Sequence, residues 1–222
     1  MSYSADYIKR MIEQMGAFLL ALRDKLDEDK PNEVLTDVQE SYRQLFGVDG
    51  EFLLNAPENY LALMTGIGRV GDSDKTISLA DLLTIEGEAY ALKGMYEESV
   101  RRYSKALNVL IDTFLTLGYA KSADHTERIA HLVSLTADET MSSETLLRLF
   151  RYSERIGEFA QAEDILYELL ENAPTDVAYD DLADEGVAFY ERLQGLDDVT
   201  LTAGGLPRDE VEDGLHELLN PN

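Results

Sequence analysis

Leu83-x-x-Glu86-Gly87-x-x-Tyr90, then Gly94-Met95-Tyr96, then Ser99-x-x-x-Tyr103-x-x-Ala106-Leu107 is the stretch that decides the fold. Its apolar residues recur at intervals of three and four, the period of an amphipathic helix. Gly94 breaks the period and supplies the left-handed turn that ends one helix before the next begins. Small residues at Gly87, Ser99 and Ala106 let two helices approach closely, and Tyr90 and Tyr103 fill the adjoining holes. Tyr96, two residues past the glycine, is expected to pack at the start of the second helix. The plan recurs as Leu146-x-x-Leu149-Phe150-x-x-Ser153, Gly157-Glu158-Phe159 and Ala162-x-x-x-Leu166, with Pro174 beyond. Gly157 lies 63 residues after Gly94.

The helical period extends outward from these hairpins. Tyr7, Met11, Met15, Phe18, Leu22 and Leu26 mark one apolar stripe over residues 3–27. Pro31 closes that helix, and Val34, Leu35, Val38, Tyr42 and Leu45 begin an antiparallel second one, ended by Gly47 and Gly50. Pro57-Glu58 predicts a short helix to Thr65. Residues 66–77 are polar and Gly-rich, a connector. Ser78 to Asp81 has the form of a capping box. Helices follow over 78–93, 96–118, 122–136, 142–156, 159–172, 176–195 and 207–219. Val199–Thr202 alone reads as strand, too short to build a sheet. The expectation is an all-α protein. Residues 1–65 form an N-terminal hairpin and short helix, 66–77 the connector, 78–196 stacked repeats, and 197–222 a loop and acidic C-terminal helix.

The two glycine-centred hairpins resemble tetratricopeptide (TPR) repeats, over about 60 residues. Glu86 departs from that pattern, which wants leucine there. Phe150 and Ser153 replace its small and aromatic residues, and residues 113–141 would be a degenerate intervening unit. The resemblance implies antiparallel hairpins stacked as a short TPR-like array or irregular bundle. The opening Asp6-Tyr7-Ile8-x-Arg10-x-Ile12-Glu13-Gln14, together with the Leu146–Glu171 hairpin, is similar to a family of uncharacterised bacterial cytoplasmic proteins. That similarity implies the fold and brings no activity with it.

Composition narrows the function classes. The 222 residues carry 44 acidic against 19 basic side chains, a net charge of −25. A phosphate backbone needs a basic stripe, so nucleic acid is not an expected partner. Anionic membrane surfaces are disfavoured for the same reason, and the longest apolar run near the N-terminus, Ala17 to Leu22, cannot span a bilayer. A cytoplasmic protein is expected. The absence of cysteine removes disulfides, thiol nucleophiles and thiolate metal ligands. Residues 163–222 are especially acidic, with Arg192 and Arg208 their only Lys or Arg. Solvated helix faces are the plain reading of this charge; a surface for a basic partner is the sharper one.

No motif points to catalysis. Gly66-Ile67-Gly68-Arg69-Val70-Gly71 has the spacing of a dinucleotide fingerprint, but a strand should precede it and Asp72 and Asp74 would repel a pyrophosphate. His125, His131 and His216 lack the partners of a metal site and read as exposed. No catalytic residues, metal or cofactor are expected. The methionines, Met95 among them, read as core fillers. Arg101, Arg102 and Lys105 read as surface counter-charge.

Arg148, Arg151 and Arg155 fall on one helix face, unusual in a chain with so few cations. In a TPR-like stack the first helix of each hairpin lines the concave surface. Arg151 and Arg155 would then project beside Leu147, with Thr84 and Glu88 from the earlier hairpin. Arginine forks suit carboxylates of a peptide or partner helix, unless they pair with the chain's own Glu144, Glu154 or Glu158 or with a neighbouring helix. The expected function is a non-catalytic protein-interaction module. An enzyme or small-molecule binder built on clustered carboxylates, and a structural homo-oligomer or homodimer through the N-terminal helix, are the alternatives.

Overall fold

The computed structural model describes residues 3–57, 60–61, 73–117, 123–136 and 140–220. Their side chains are described from Met15 onward, apart from those of 73–74, 117, 123–124 and 176–177. Among these residues every regular element is a helix. They are α1 (Tyr3–Asp27), α2 (Pro31–Phe46), α3 (Gly50–Asn55), α4 (Ser73–Leu92), α5 (Tyr96–Leu117), α6 (Ala123–Leu135), α7 (Ser143–Ile156), α8 (Phe159–Glu171), α9 (Asp176–Gln194), α10 (Asp198–Ala203) and α11 (Arg208–Leu219). The chain divides into two compact units, 1–140 and 141–222. The expected single array over 78–196 is therefore shared between them.

Unit 1 is built around α4. Its residues Leu79, Leu82, Leu83, Ile85 and Ala89 are buried almost all round. That burial follows from α4 packing on α1, α2 and α5 at once. Gly87 faces Tyr103 of α5: an added Cβ would stand 2.4 Å from the Tyr103 ring. The small residue and the large one thus meet as the spacing implies.

Unit 2 stacks α7 on α8, α8 on α9 and α9 on α11 around a core that includes Phe150, Phe159, Leu166, Phe189 and Tyr190. Here the close approach moves to α9. A Cβ on Gly186 would stand 2.9 Å from a Leu166 methyl. Residues 197–222 are part of this unit, with Leu201, Leu206 and Val211 in the core.

The two hairpin turns are closed alike. Gly94 and Gly157 have φ of 71° and 85°. Gly94 N–H donates to the Ala91 carbonyl and Met95 N–H to that of Tyr90; Gly157 and Glu158 repeat this with Glu154 and Ser153. This pair of bonds satisfies carbonyls that the helix end leaves open.

Several sequence expectations need correction. Gly50 does not end α2. It begins α3, where Asp49 accepts from Phe52 N–H as N-cap, and its N–H donates to Gln39. The Pro57–Thr65 helix falls mostly outside the described residues, as does Gly66–Gly71. The connector ends sooner than Ile77, because α4 already runs from Ser73, and Ser78 to Asp81 is helix interior rather than a cap. Val199–Thr202 is helical: Asp197 caps α10 by accepting from Thr200 N–H at 2.9 Å. Local capping overrides the β-propensity of Val and Thr at these positions.

Candidate functional site

In unit 2 the arginine face of α7 is partly occupied by the protein's own carboxylates. Arg148 ion-pairs with Glu144 one turn earlier, at 3.0 Å. Arg151 reaches Glu185 of α9 with its Nε 3.4 Å from the carboxylate. Glu154 is held by Arg192 of α9 through two hydrogen bonds of 2.6 and 2.8 Å. The Arg151–Glu185 and Arg192–Glu154 pairs link α7 to α9. Arg155 is exposed and has no acidic partner among the described residues. Leu147 is half-buried and packs against the core. The opposing-charge pairing foreseen for Arg148 and Arg151 is thus what the structure contains.

Thr84 and Glu88 lie in unit 1. Thr84 is buried and its hydroxyl donates to the Ala80 carbonyl at 2.8 Å, a bond within its own helix. Glu88 pairs with Arg23 of α1 at 3.4 Å. Thr84 was expected on a partner-facing surface, and it lines a cleft while its hydroxyl serves that internal bond.

This cleft, of about 370 Å³, opens between α1, α4, α5 and α6. Leu19, Leu20, Ile85, Leu110 and Leu132 supply its apolar surface. Leu20 is 65% exposed, a large apolar side chain left in solvent at the cleft edge. The polar lining is Arg23, Asp81, Glu127, Arg128 and His131. Arg128 ion-pairs with Asp81 across α6 and α4, fixing the spacing of the two helices.

The helices α2, α4 and α5 also hold a buried ionic network, and two cations expected at the surface, Arg102 and Lys105, are buried. Glu86 is fully buried on α4. It accepts hydrogen bonds from Tyr42 at 2.9 Å and Gln39 at 3.1 Å, both on α2. Arg102 of α5, also buried, holds its Nε 3.4 Å from Glu86, pairs with Glu98, and places its guanidinium 4.3 Å from the centre of the Tyr90 ring. Lys105 is buried too and donates to the Ala56 carbonyl at 2.5 Å. Burial raises the Glu86 carboxyl above its ordinary range, and Arg102 opposes that shift. The signal was present: Glu86 breaks the expected leucine, and Arg102 stands sixteen residues on, across the turn.

His125 is likewise buried, not exposed, whereas Met95 is exposed rather than core. In unit 2, burial raises Glu163, which accepts from Tyr190 at 2.6 Å. A recess of about 620 Å³ nearby is lined by Tyr167, Asp213, His216 and Glu217, among others. Glu163 is not part of its lining, so the raised carboxyl and the open space do not coincide. Among the described residues no group of three or more His, Asp or Glu is placed to hold a metal ion, and no helix is long and apolar enough to cross a membrane.

The chain belongs to a family of unknown function, DUF6483, whose model matches residues 2–221. No curated protein matches it, and no solved structure does.

Proposed function

We propose that this member of the family is a protein-interaction module whose unit 1 cleft receives a peptide or partner helix, in the manner of a TPR-like groove. The observation that carries the reading is the cleft itself: apolar residues of four helices, with Leu20 left in solvent, bordered by charges of both signs. Such a surface suits an amphipathic helix, whose apolar face fills the groove while its polar edges meet the rim. The arginines of α7 become secondary, since Arg148 and Arg151 already serve internal pairs. A cytoplasmic setting and a TPR-like origin fit this reading.

The test is selection of binders from a displayed random-peptide library, followed by isotope-edited methyl spectroscopy. Selected peptides should shift the methyl signals of Leu19, Leu20, Ile85 and Leu132. They should lose about tenfold or more in affinity for Leu20→Lys, a drop of about 1.4 kcal/mol, and bind Arg151→Glu/Arg155→Glu unchanged. Peptides that ignore Leu20→Lys and fail on the arginine variant would move the site to α7 and overturn the cleft.

A further inference from the structure

The two hairpins present opposite surroundings at their turns. In unit 2 the turn is covered. Phe159 is 5% exposed, because the segment after α10 lies on it. A Cβ on Gly204 would stand 2.2 Å from the Phe159 ring and 2.6 Å from the Gly157 carbonyl oxygen. The Gly204 carbonyl accepts from Ala160 N–H at 3.0 Å.

In unit 1 the turn is bare. Tyr96, at the register of Phe159, is 66% exposed, Leu92 is 53% exposed and Met95 42%. Three large apolar side chains within five residues make a patch, not scattered exposure. The patch runs into a groove of about 420 Å³ lined by Leu26, Asp27, Glu88, Ala91, Leu92 and Tyr103. The charges around it lean acidic. Asp27 and Glu97 have no cationic partner among the described residues. Of the nearby cations, Lys30 is held by Glu28 at 2.5 Å, while Lys93 bonds the neutral Asn32 amide at 2.9 Å and keeps its charge, so Asp27 and Glu97 outnumber it by one. A second copy would bring its own −25 charge to this rim, which like-charge repulsion disfavours.

We propose that the open end of the α4–α5 hairpin, centred on Leu92, Met95 and Tyr96, is a docking surface for a basic amphipathic segment of a partner protein. Its aliphatic side chains would cover Tyr96 and enter the groove, and its Lys or Arg residues would face Asp27 and Glu97. This surface is separate from the cleft and does not depend on it.

The probe is a fluorescently labelled Leu/Lys amphipathic helix of about 18 residues, long enough for several turns, titrated with the full chain and followed by anisotropy. Leu92→Ser/Tyr96→Ser removes the apolar patch without changing charge, and circular dichroism checks its fold. The variant should bind about tenfold or more weakly. A Ser/Lys peptide of equal charge and a Leu/Glu helix should both bind the wild type at least about tenfold more weakly than the probe. Equal binding by the double variant overturns the proposal. So does loss of the probe on Leu20→Ser instead, which would seat it in the cleft while sparing the interaction reading. A wild-type dimer that the double variant dissolves, seen by light scattering, would give the patch to a second copy and overturn it as well.

Discussion

The α4–α5 and α7–α8 hairpins share a turn and are stabilised by different chemistry. The offset of 63 residues that carries Gly94 onto Gly157 carries Glu86 onto Leu149 and Arg102 onto Ile165. One hairpin therefore sets an ion pair, bonded on to Tyr42 and Gln39, where the other sets two aliphatic side chains. The same offset carries Gly87 onto Phe150, so the first hairpin takes its close approach within itself and the second takes it from Gly186 on α9. Removing two charges from water costs more than their attraction returns unless hydrogen bonds satisfy the rest. The network in unit 1 thus fixes how α2, α4 and α5 register more than it adds stability. Unit 2 relies on apolar packing, including the Phe150–Phe189 edge contact with ring centres 5.3 Å apart.

Breaking one partner of the network should have the largest effect. Arg102→Ile leaves Glu86 buried without its cation and should cost about 3–5 kcal/mol at neutral pH. Denaturant melts should show that loss shrink in acid, where Glu86 takes up a proton. The triple change Glu86→Leu/Arg102→Ile/Tyr42→Phe imports the unit 2 solution and should recover most of it. A triple variant no more stable than Arg102→Ile alone would show that the two hairpins are not interchangeable in this respect.

The covered and bare turns allow a sharper contrast. Phe159→Ala should cost about 3–5 kcal/mol, as truncation of a buried aromatic does. Tyr96→Ala at the same register should stay within about 0.5 kcal/mol. Similar losses for the two would mean that Tyr96 is covered after all. Gly87→Ala, which drives a methyl into the Tyr103 ring, should cost about 1–3 kcal/mol, and Gly87→Ala/Tyr103→Leu should relieve part of it.

The smallest expected effect is a pH dependence. Burial raises Glu163 above its ordinary value, so its contribution to stability is fully present below the ordinary glutamate pKa of about 4.3 and is lost as pH rises through its folded value. Glu163→Gln cannot ionise. Its stability relative to wild type should therefore grow between about pH 4.5 and pH 7. A difference that stays flat across that range would deny the raised carboxyl.

Most of the fold was legible because helical period, glycine stops and proline starts agree along this chain. The Gly87–Tyr103 fit and the left-handed glycines could be read from spacing alone. The ion network could not, because an Arg and a Lys on a helix look solvent-facing until what packs over them is known; Lys105 bonds the Ala56 carbonyl, just past α3, far away in sequence. Glu86 did stand out, as a carboxylate in a leucine position. The Val199–Thr202 segment misled because β-branched residues weigh toward strand, while the Asp197 cap that decides for helix is one side chain. The arginine face of α7 was visible as a face. The Glu144–Arg148 pair could be read from its i, i+4 spacing, whereas Glu185 answering Arg151 depends on how α9 packs, which one sequence does not show.

Amide hydrogen exchange at the two turns is the most direct measurement. Ala160 N–H is bonded to the Gly204 carbonyl, whereas Glu97 N–H, at the same register, has no acceptor among the described residues. In the isolated protein Ala160 should be protected and Glu97 should exchange at close to the rate of an unstructured peptide. Equal protection of the two would mean that the unit 1 turn is already covered, and would contradict both the contrast between the hairpins and the docking surface drawn from it.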